Sequence, residues 1–217
     1  NVWVGTMRGL NIYNRKNSTF RKLKNVHLQT KKIFAITEGG NGEIWVLTSD
    51  ELIVINSKFD VVNTFLLKNI RTENEVLSWS TAKFDTKKNL WICTNKGIRL
   101  FEVSTQKLLN PLSDHVQFNV TTQEFYSNIY FDSAGNMWVG IRGNGLKFYS
   151  FEHKKWTEIK GLSSKYINGV YEDLEKNIWI CTGRNGLNIY NPTTQEVEVI
   201  KYADKPESNL TSNSLSC

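Results

Sequence analysis

Basic side chains recur at one kind of turn in this sequence, the turn between the second and third strands of a repeated unit. The five turns read MRG, SDE, NKG, RGNG and GRNG. Four of them contain a cation: Arg8, Lys96, Arg142 and Arg184. The last two turns are one residue longer and add Asn144 and Asn185. Guanidinium groups bind carboxylate or sulfate through two parallel hydrogen bonds, so this set predicts a site for an anion or an acidic sugar.

A second interpretation of these turns is that they carry solvated charges and bind nothing. Other turns of this lysine-rich chain also hold basic residues, for example Lys88 and Lys176. The sequence leaves both interpretations open.

Aromatic residues at the start of the first strands could stack on a sugar ring. The candidates are Trp79, Phe125, Tyr126 and Tyr166. Trp79 and Tyr126 align with Ile33 and Ile167, so packing in the core is the alternative for both. Tyr166 is adjacent to that core position and is expected to face differently. Trp156 and the repeated tryptophans are predicted to pack inside.

Catalytic chemistry has few candidates. A glycosidase needs two carboxylates across one site. The carboxylates near the predicted binding end are Asp50, Glu51, Glu73, Glu75 and Glu124. Asp132 and Asp173 are explained by turn formation. The three histidines are isolated and lack metal-ligand spacing, so we expect no metal, no cofactor and no catalysis in this segment.

Two of the three cysteines, Cys93 and Cys181, occupy the same position of the repeat, two residues after a tryptophan. Other repeats have glycine or leucine there, at Gly5, Leu47 and Gly140. Small residues at this position indicate packing against a neighbouring sheet. The odd number of cysteines argues against a disulfide framework.

A repeat positions all of these residues. Its marker tryptophans recur every 41–47 residues, at Trp3, Trp45, Trp91, Trp138 and Trp179. Each unit reads as four short strands separated by turns rich in asparagine, glycine and aspartate. A period of this length predicts an all-β fold, a β-propeller of four-stranded antiparallel blades, and a β-solenoid is the competing architecture.

The chain holds about five blades. Residues 1–217 form one propeller segment, with predicted blades at 1–28 (partial), 29–70, 71–115, 116–161 and 162–207, and the start of another at 208–217. The first blade begins at its second strand. We predict a segment of a seven-bladed ring, and a closed five-bladed ring is the alternative.

Composition narrows the class of protein. With 40% hydrophobic and 22% charged residues, the chain is globular, and no apolar run is long enough to span a membrane. The net charge of +6 favours acidic partners in general. Basic residues alternate with acidic ones and no nucleic-acid module is visible, so nucleic acid is not an expected partner.

Two segments resemble a known repeat. "INGVYEDLEKNIWICTGRNGLNIYN" (167–191) and "YSNIYFDSAGNMWVGIRGNGLKFY" (126–149) are similar to the two-component regulator propeller repeat. This repeat occurs in the periplasmic sensor region of hybrid two-component histidine kinases. The units at 33–56 and 79–101 depart from the pattern, the first at its second turn and the second at its first strand and turn.

The resemblance implies a sensor. Such proteins carry further propeller blades, an immunoglobulin-like domain and a membrane helix outside this segment, and a histidine kinase beyond the membrane. The propellers bind oligosaccharides and relay that event to the kinase. We therefore expect a periplasmic module that recognises an oligosaccharide, with an acidic one favoured by the basic turns. The resemblance also allows a homodimer. Any tether to the membrane would run through the domains outside this segment.

Two other classes of function remain open. One is a protein-interaction or dimerisation propeller without a glycan site. The other is a propeller glycosidase or lyase, because the fold alone excludes neither.

Overall fold

The computed structural model describes residues 1–23, 26–70, 82–94, 97–109, 126–202 and 210–215. Its regular structure is almost all β-strand, arranged in five antiparallel sheets in which neighbouring strands are consecutive in the chain. We call these sheets blades 1 to 5. Blade 1 has three strands and the others have four, as the repeat predicts.

The strand bounds follow the repeat. Blade 1 contains β1 (Val2–Thr6), β2 (Gly9–Asn14) and β3 (Thr19–Lys22). Blade 2 contains β4 (Ile33–Glu38), β5 (Ile44–Thr48), β6 (Glu51–Ile55) and β7 (Val61–Leu66). Blade 3 contains β8 (Ala82–Phe84), β9 (Leu90–Thr94), β10 (Gly97–Glu102) and β11 (Lys107–Leu109). Blade 4 contains β12 (Tyr126–Phe131), β13 (Met137–Ile141), β14 (Gly145–Ser150) and β15 (Lys155–Ile159). Blade 5 contains β16 (Ile167–Glu172), β17 (Ile178–Thr182), β18 (Leu187–Tyr190) and β19 (Val197–Ile200).

Helical structure is limited to short pieces within the described residues. The α-helix α1 spans Leu67–Ile70, and 3₁₀ turns occur at Val26–Gln29 and Gly40–Gly42. Across those same residues, no helix has the length and hydropathy that crossing a bilayer requires.

The chain divides into two compact units, one with blades 1 to 3 and one with blades 4 and 5. In the first unit, one apolar cluster lies between blades 1 and 2 and includes Leu10, Ile12 and Ile53. A second cluster lies between blades 2 and 3 around Trp45. In the second unit, Trp138, Ile167 and Ile180 belong to the cluster between blades 4 and 5. Each core is therefore made by the faces of neighbouring blades.

Small residues allow these faces to approach closely, as the repeat predicts. A Cβ atom on Gly5 would lie 2.6 Å from Cγ2 of Ile33 in the next blade. A Cβ atom on Gly140 would lie 3.0 Å from Cβ of Ile167. Glycine at these positions is required by space and not by backbone conformation.

The cysteines differ from each other, and one prediction about them is wrong. Cys93 is a free, fully buried thiol, and burial raises its pKa well above the ordinary value. Cys181, in contrast, is disulfide-bonded. The odd cysteine count argued against a disulfide framework, and that prediction is wrong at Cys181 because an odd count still leaves one pair possible.

An aspartate fixes the first turn of blades 3, 4 and 5. Its hydrogen-bond pattern was not predicted from the sequence. The carboxylate accepts a hydrogen bond from the indole N–H of the repeat tryptophan six residues on. The donor–acceptor distances are 2.9 Å for Trp91–Asp85, 2.9 Å for Trp138–Asp132 and 2.6 Å for Trp179–Asp173. An asparagine four residues after each aspartate donates its backbone N–H to the other carboxylate oxygen.

The left-handed residue of this turn is retained even where glycine is not. Gly135 has φ of +82°, and Lys88 and Lys176 adopt φ of +65° and +70° at the same position. Glycine is therefore not required at this position, but the residue there is left-handed in all three turns. The aspartate bonds hold the lysine backbones in a region that costs them energy.

Candidate functional site

The second turns of blades 4 and 5 are anchored on one dipeptide. The backbone N–H groups of Gly143 and Gly145 both donate to the carbonyl of Lys165, each at 3.1 Å. The N–H of Gly183 donates to the carbonyl of the next residue, Tyr166, at 2.8 Å. Lys165 and Tyr166 belong to the connection that joins the two blades. Both turns are therefore hydrogen-bonded to the same connection.

Tyr166 presents part of its ring at this place. It is 47% exposed, and the Arg184 guanidinium lies over the ring with Cζ 6.0 Å from the centroid. This distance is at the outer limit of a cation–π contact, so the pair is loosely held in solvent. The predicted difference between Tyr166 and the core position beside it is confirmed, because Ile167 is buried.

Asn185 has a structural role that the sequence did not reveal. Its side-chain amide donates to the carbonyl of Ser163 at 2.9 Å, which ties the turn of blade 5 to the inter-blade connection. Asn188 reinforces the same connection through hydrogen bonds to Ser163 at 2.8 Å. Asn185 also adopts φ of +71°, which asparagine tolerates better than most residues.

Three exposed cations lie on these anchored segments. Arg142 and Arg184 come from the two turns, each immediately before a residue of left-handed conformation, and Lys165 comes from the connection. Lys165 was not predicted as a site residue, although its position directly before the candidate Tyr166 could have indicated it. We call this group the basic turn surface, formed by Arg142, Asn144, Lys165, Tyr166, Arg184 and Asn185.

Arg8 belongs to the other unit and stands in a similar local setting. It is exposed on the turn between β1 and β2, and its N–H donates to Oγ1 of Thr6 at 3.1 Å. The inter-blade connection again lies against this turn, since a Cβ on Gly9 would be 2.7 Å from the carbonyl oxygen of Gln29.

In the acidic turn of blade 2, one lysine pairs with two carboxylates. Lys31 Nζ lies 2.5 Å from Asp50 Oδ2 and 2.8 Å from Glu51 Oε2, and Glu51 is only 7% exposed. Burial acts to raise the pKa of Asp50, but the hydrogen bond and charge of Lys31 outweigh it and lower that pKa. Burial likewise acts to lower the pKa of Lys31, and the two carboxylates outweigh it and raise that pKa. Lys31 thus pairs with both carboxylates and keeps Asp50 ionised, which is unsuitable for a general acid.

The remaining predicted residues are either buried or outside the described part of the chain. Tyr126 is 1% exposed. It pairs with Ile141 in the same way that the buried Ile167 pairs with Thr182. Its ring therefore belongs to the core, which was the alternative prediction for this residue. Lys96, Trp79 and Phe125 lie outside the described residues, as do Glu73, Glu75 and Glu124. Among the residues that are described, no three potential metal ligands come together.

Solved structures share this fold. Two are extracellular domains, described as parts of hybrid two-component systems of B. thetaiotaomicron, with TM-scores of 0.76 and 0.75 at 16% and 21% identity. Each likeness covers 98% of this chain, which spans only 27% and 28% of those domains. A virginiamycin B lyase from Staphylococcus aureus has a TM-score of 0.63 at 14% identity, over 94% of this chain and 67% of the lyase.

These likenesses confirm the predicted fold class, an all-β β-propeller. Extracellular domains of hybrid two-component systems, which the sequence resemblance implied, are among the structures that share it. No protein-family model matches the chain, and no curated protein is significantly similar to it. Because one fold hosts many functions, the function has to be argued from the site.

Proposed function

We propose that this chain is the periplasmic ligand-sensing propeller of a hybrid two-component regulator and that it recognises an acidic oligosaccharide at the basic turn surface. The observation that carries the proposal is the anchoring of two turns on the adjacent carbonyls of Lys165 and Tyr166. Arg142 and Arg184 stand on the two anchored turns, and Lys165 is adjacent in sequence to the half-exposed Tyr166, which supports a common binding surface. An acidic sugar has the matching chemistry, with a carboxylate or sulfate for the guanidinium groups and an apolar ring face for the tyrosine.

The segments that bear these groups are held firmly by backbone bonds. A preformed surface loses less conformational entropy on binding than a mobile one, which favours a specific ligand. Ligand binding would act as a population shift, by favouring one arrangement of the propeller or of a dimer over another. Further blades, an immunoglobulin-like domain and a histidine kinase in the same protein belong to this proposal.

The experiment is a calorimetric titration of the full-length protein's extracytoplasmic region with neutral, uronate-containing and sulfated oligosaccharides. It is run at low and moderate salt, with the double variant Arg142→Ala/Arg184→Ala alongside. Each charge-assisted hydrogen bond contributes about 1.5–3 kcal/mol, so we expect the variant to bind at least about tenfold more weakly. Added salt should weaken binding to the wild type because the surface is exposed.

The matched control is Lys154→Ala/Lys155→Ala, which removes two exposed cations from the outer hairpin of blade 4. It lowers the net charge equally and should leave the affinity almost unchanged. Equal losses in both double variants would show a general charge effect and contradict the assigned surface. If no oligosaccharide binds to the folded protein, the sensor proposal gives way to a propeller that binds a protein partner.

A further inference from the structure

A cavity opens between blades 4 and 5. Its volume is about 750 Å³, within the range of small-molecule sites. The first turns of both blades and the outer strand β15 contribute to its lining. The lining reaches Ile159, which pairs with Leu146 beside the second turn of blade 4, but it includes no residue of the basic turn surface. The cavity and the basic turn surface are therefore separate sets of residues.

The corresponding space between blades 2 and 3 is filled with aromatic rings. Trp45 stacks on Phe65 at 6.0 Å between centroids and meets the edge of Phe84 at 5.5 Å. Phe101 closes the group, at 5.1 Å from Phe65. This crevice serves as an internal reference for the one between blades 4 and 5.

Strand register shows which substitutions open the cavity. Phe65 pairs with Leu52, and the equivalent pair in blade 4 is Ile159 with Leu146. Phe84 is the last residue of β8, and the equivalent last residue of β16 is Glu172. One ring is thus replaced by a smaller aliphatic side chain and another by a carboxylate. Two rings of the reference crevice are thus absent here, although Phe148 stands where blade 2 has Val54.

Aromatic side chains form the inner wall. Trp138 lies 4.7 Å from Phe148 and 5.9 Å from Tyr190, measured between ring centroids. The bond to Asp132 fixes the indole of Trp138. Phe148 and Tyr190 are partly exposed and offer apolar faces to a flat ligand of ring size, and the buried Trp138 supports them from behind.

The rim carries paired donors and acceptors. Glu172 accepts from the N–H and Oγ of Ser133 at 2.7 and 3.0 Å, and Lys176 donates to the same Oγ at 2.9 Å. Glu158, Lys160 and Gln195 also line the cavity. On the rim, Glu158 and Glu172 are balanced by Lys160 and Lys176. The third carboxylate of the lining, Asp132, is only 6% exposed and accepts hydrogen bonds from Trp138 and Asn136. Such a rim suits a ligand with many hydroxyl groups and no charge, since hydroxyls both donate and accept.

We propose that this cavity binds an uncharged, polyhydroxylated ring ligand of the size of a mono- or disaccharide. The ring stacks on the aromatic wall, and its hydroxyls bond to the glutamates, lysines and glutamine of the rim. The inference shares with the proposed function only the general class of ligand. It concerns a different site and the opposite preference in ligand charge.

The test is titration of the intact protein with neutral disaccharides: maltose, cellobiose, lactose, xylobiose and mannobiose. The variant Ile159→Phe restores the ring present at Phe65 and should abolish binding by filling the cavity. Lys160→Ala, an exposed change that leaves the core untouched, removes one rim donor and should weaken binding about fivefold. Lys155→Ala, on the same strand but outside the cavity lining, is the matched control and should bind normally.

The outcomes separate this inference from the proposed function. We expect a neutral disaccharide to bind with an affinity that added salt and Arg142→Ala/Arg184→Ala do not change. If folded Ile159→Phe binds as tightly as the wild type, or if no disaccharide of the set binds, the inference is overturned. Both results leave the acidic-ligand titration at the basic turn surface unaffected.

Discussion

At the scale of single residues, the most regular feature is the hydrogen bond from the tryptophan indole N–H to an aspartate in the first turn. The sequence contains its signature, Asp, Asn four residues on and Trp six residues on, three times. The sequence predicted only a role in turn formation for these aspartates. The bond to the indole could not be predicted, because it depends on the direction in which the tryptophan side chain points. The bond joins a surface turn to a core side chain, so the turn and the core should respond together.

Acid should weaken blade 5 through Asp173. The hydrogen bond from Trp179 lowers the pKa of this carboxyl in the folded protein. A group with a lowered folded pKa contributes stability above its unfolded pKa of about 3.9 and loses that contribution as the pH falls through the folded value. We expect Asp173→Asn to lower the midpoint of thermal unfolding at pH 7, and the difference from wild type to close below about pH 4.

The control for this prediction is Glu175→Gln, an exposed change in the same turn that keeps the backbone N–H facing Asp173. It should unfold like the wild type at pH 7. A pH-independent gap between Asp173→Asn and the wild type would mean that the ionised carboxylate is not the stabilising group.

At the scale of elements, the repeat predicted the blades and their turns because strand period and turn residues are local signals. The residue two positions after the tryptophan, small in four of the five repeats, was also predicted to face a neighbouring sheet, and the contact of Gly5 with Ile33 confirms it there. The cavity could not be predicted in this way. It depends on the register that equates Ile159 with Phe65 and Glu172 with Phe84, and register between outer strands is set by three-dimensional pairing.

Gly5→Ala should destabilise the interface between blades 1 and 2. The added methyl would lie 2.6 Å from Cγ2 of Ile33, so the blades must move apart. Overpacking of this kind costs about 1–3 kcal/mol. Denaturant unfolding measures the change, and Gly40→Ala is the matched control because nothing lies within 4 Å of its added Cβ. Equal stability of the two variants would contradict close packing at Gly5.

At the scale of the whole molecule, the net charge of +6 and the position of the cations answer different questions. Net charge attracts acidic ligands at long range and is screened by salt, whereas recognition requires cations held at one place. The sequence predicted a binding role for the arginines of the second turns. It did not predict the inter-blade connection to which the turns of blades 4 and 5 are hydrogen-bonded. That connection is irregular, and its hydrogen bonds to both turns arise only when two blades are packed side by side.

The most direct test of the central claim is amide hydrogen exchange of the intact protein, with and without an acidic oligosaccharide selected by titration. The proposed site predicts slower exchange in peptides covering 142–145, 165–166 and 183–186, and little change at 132–136 and 172–176. Slower exchange confined to the first turns, or to segments remote from Lys165 and Tyr166, would contradict the basic turn surface as the binding site.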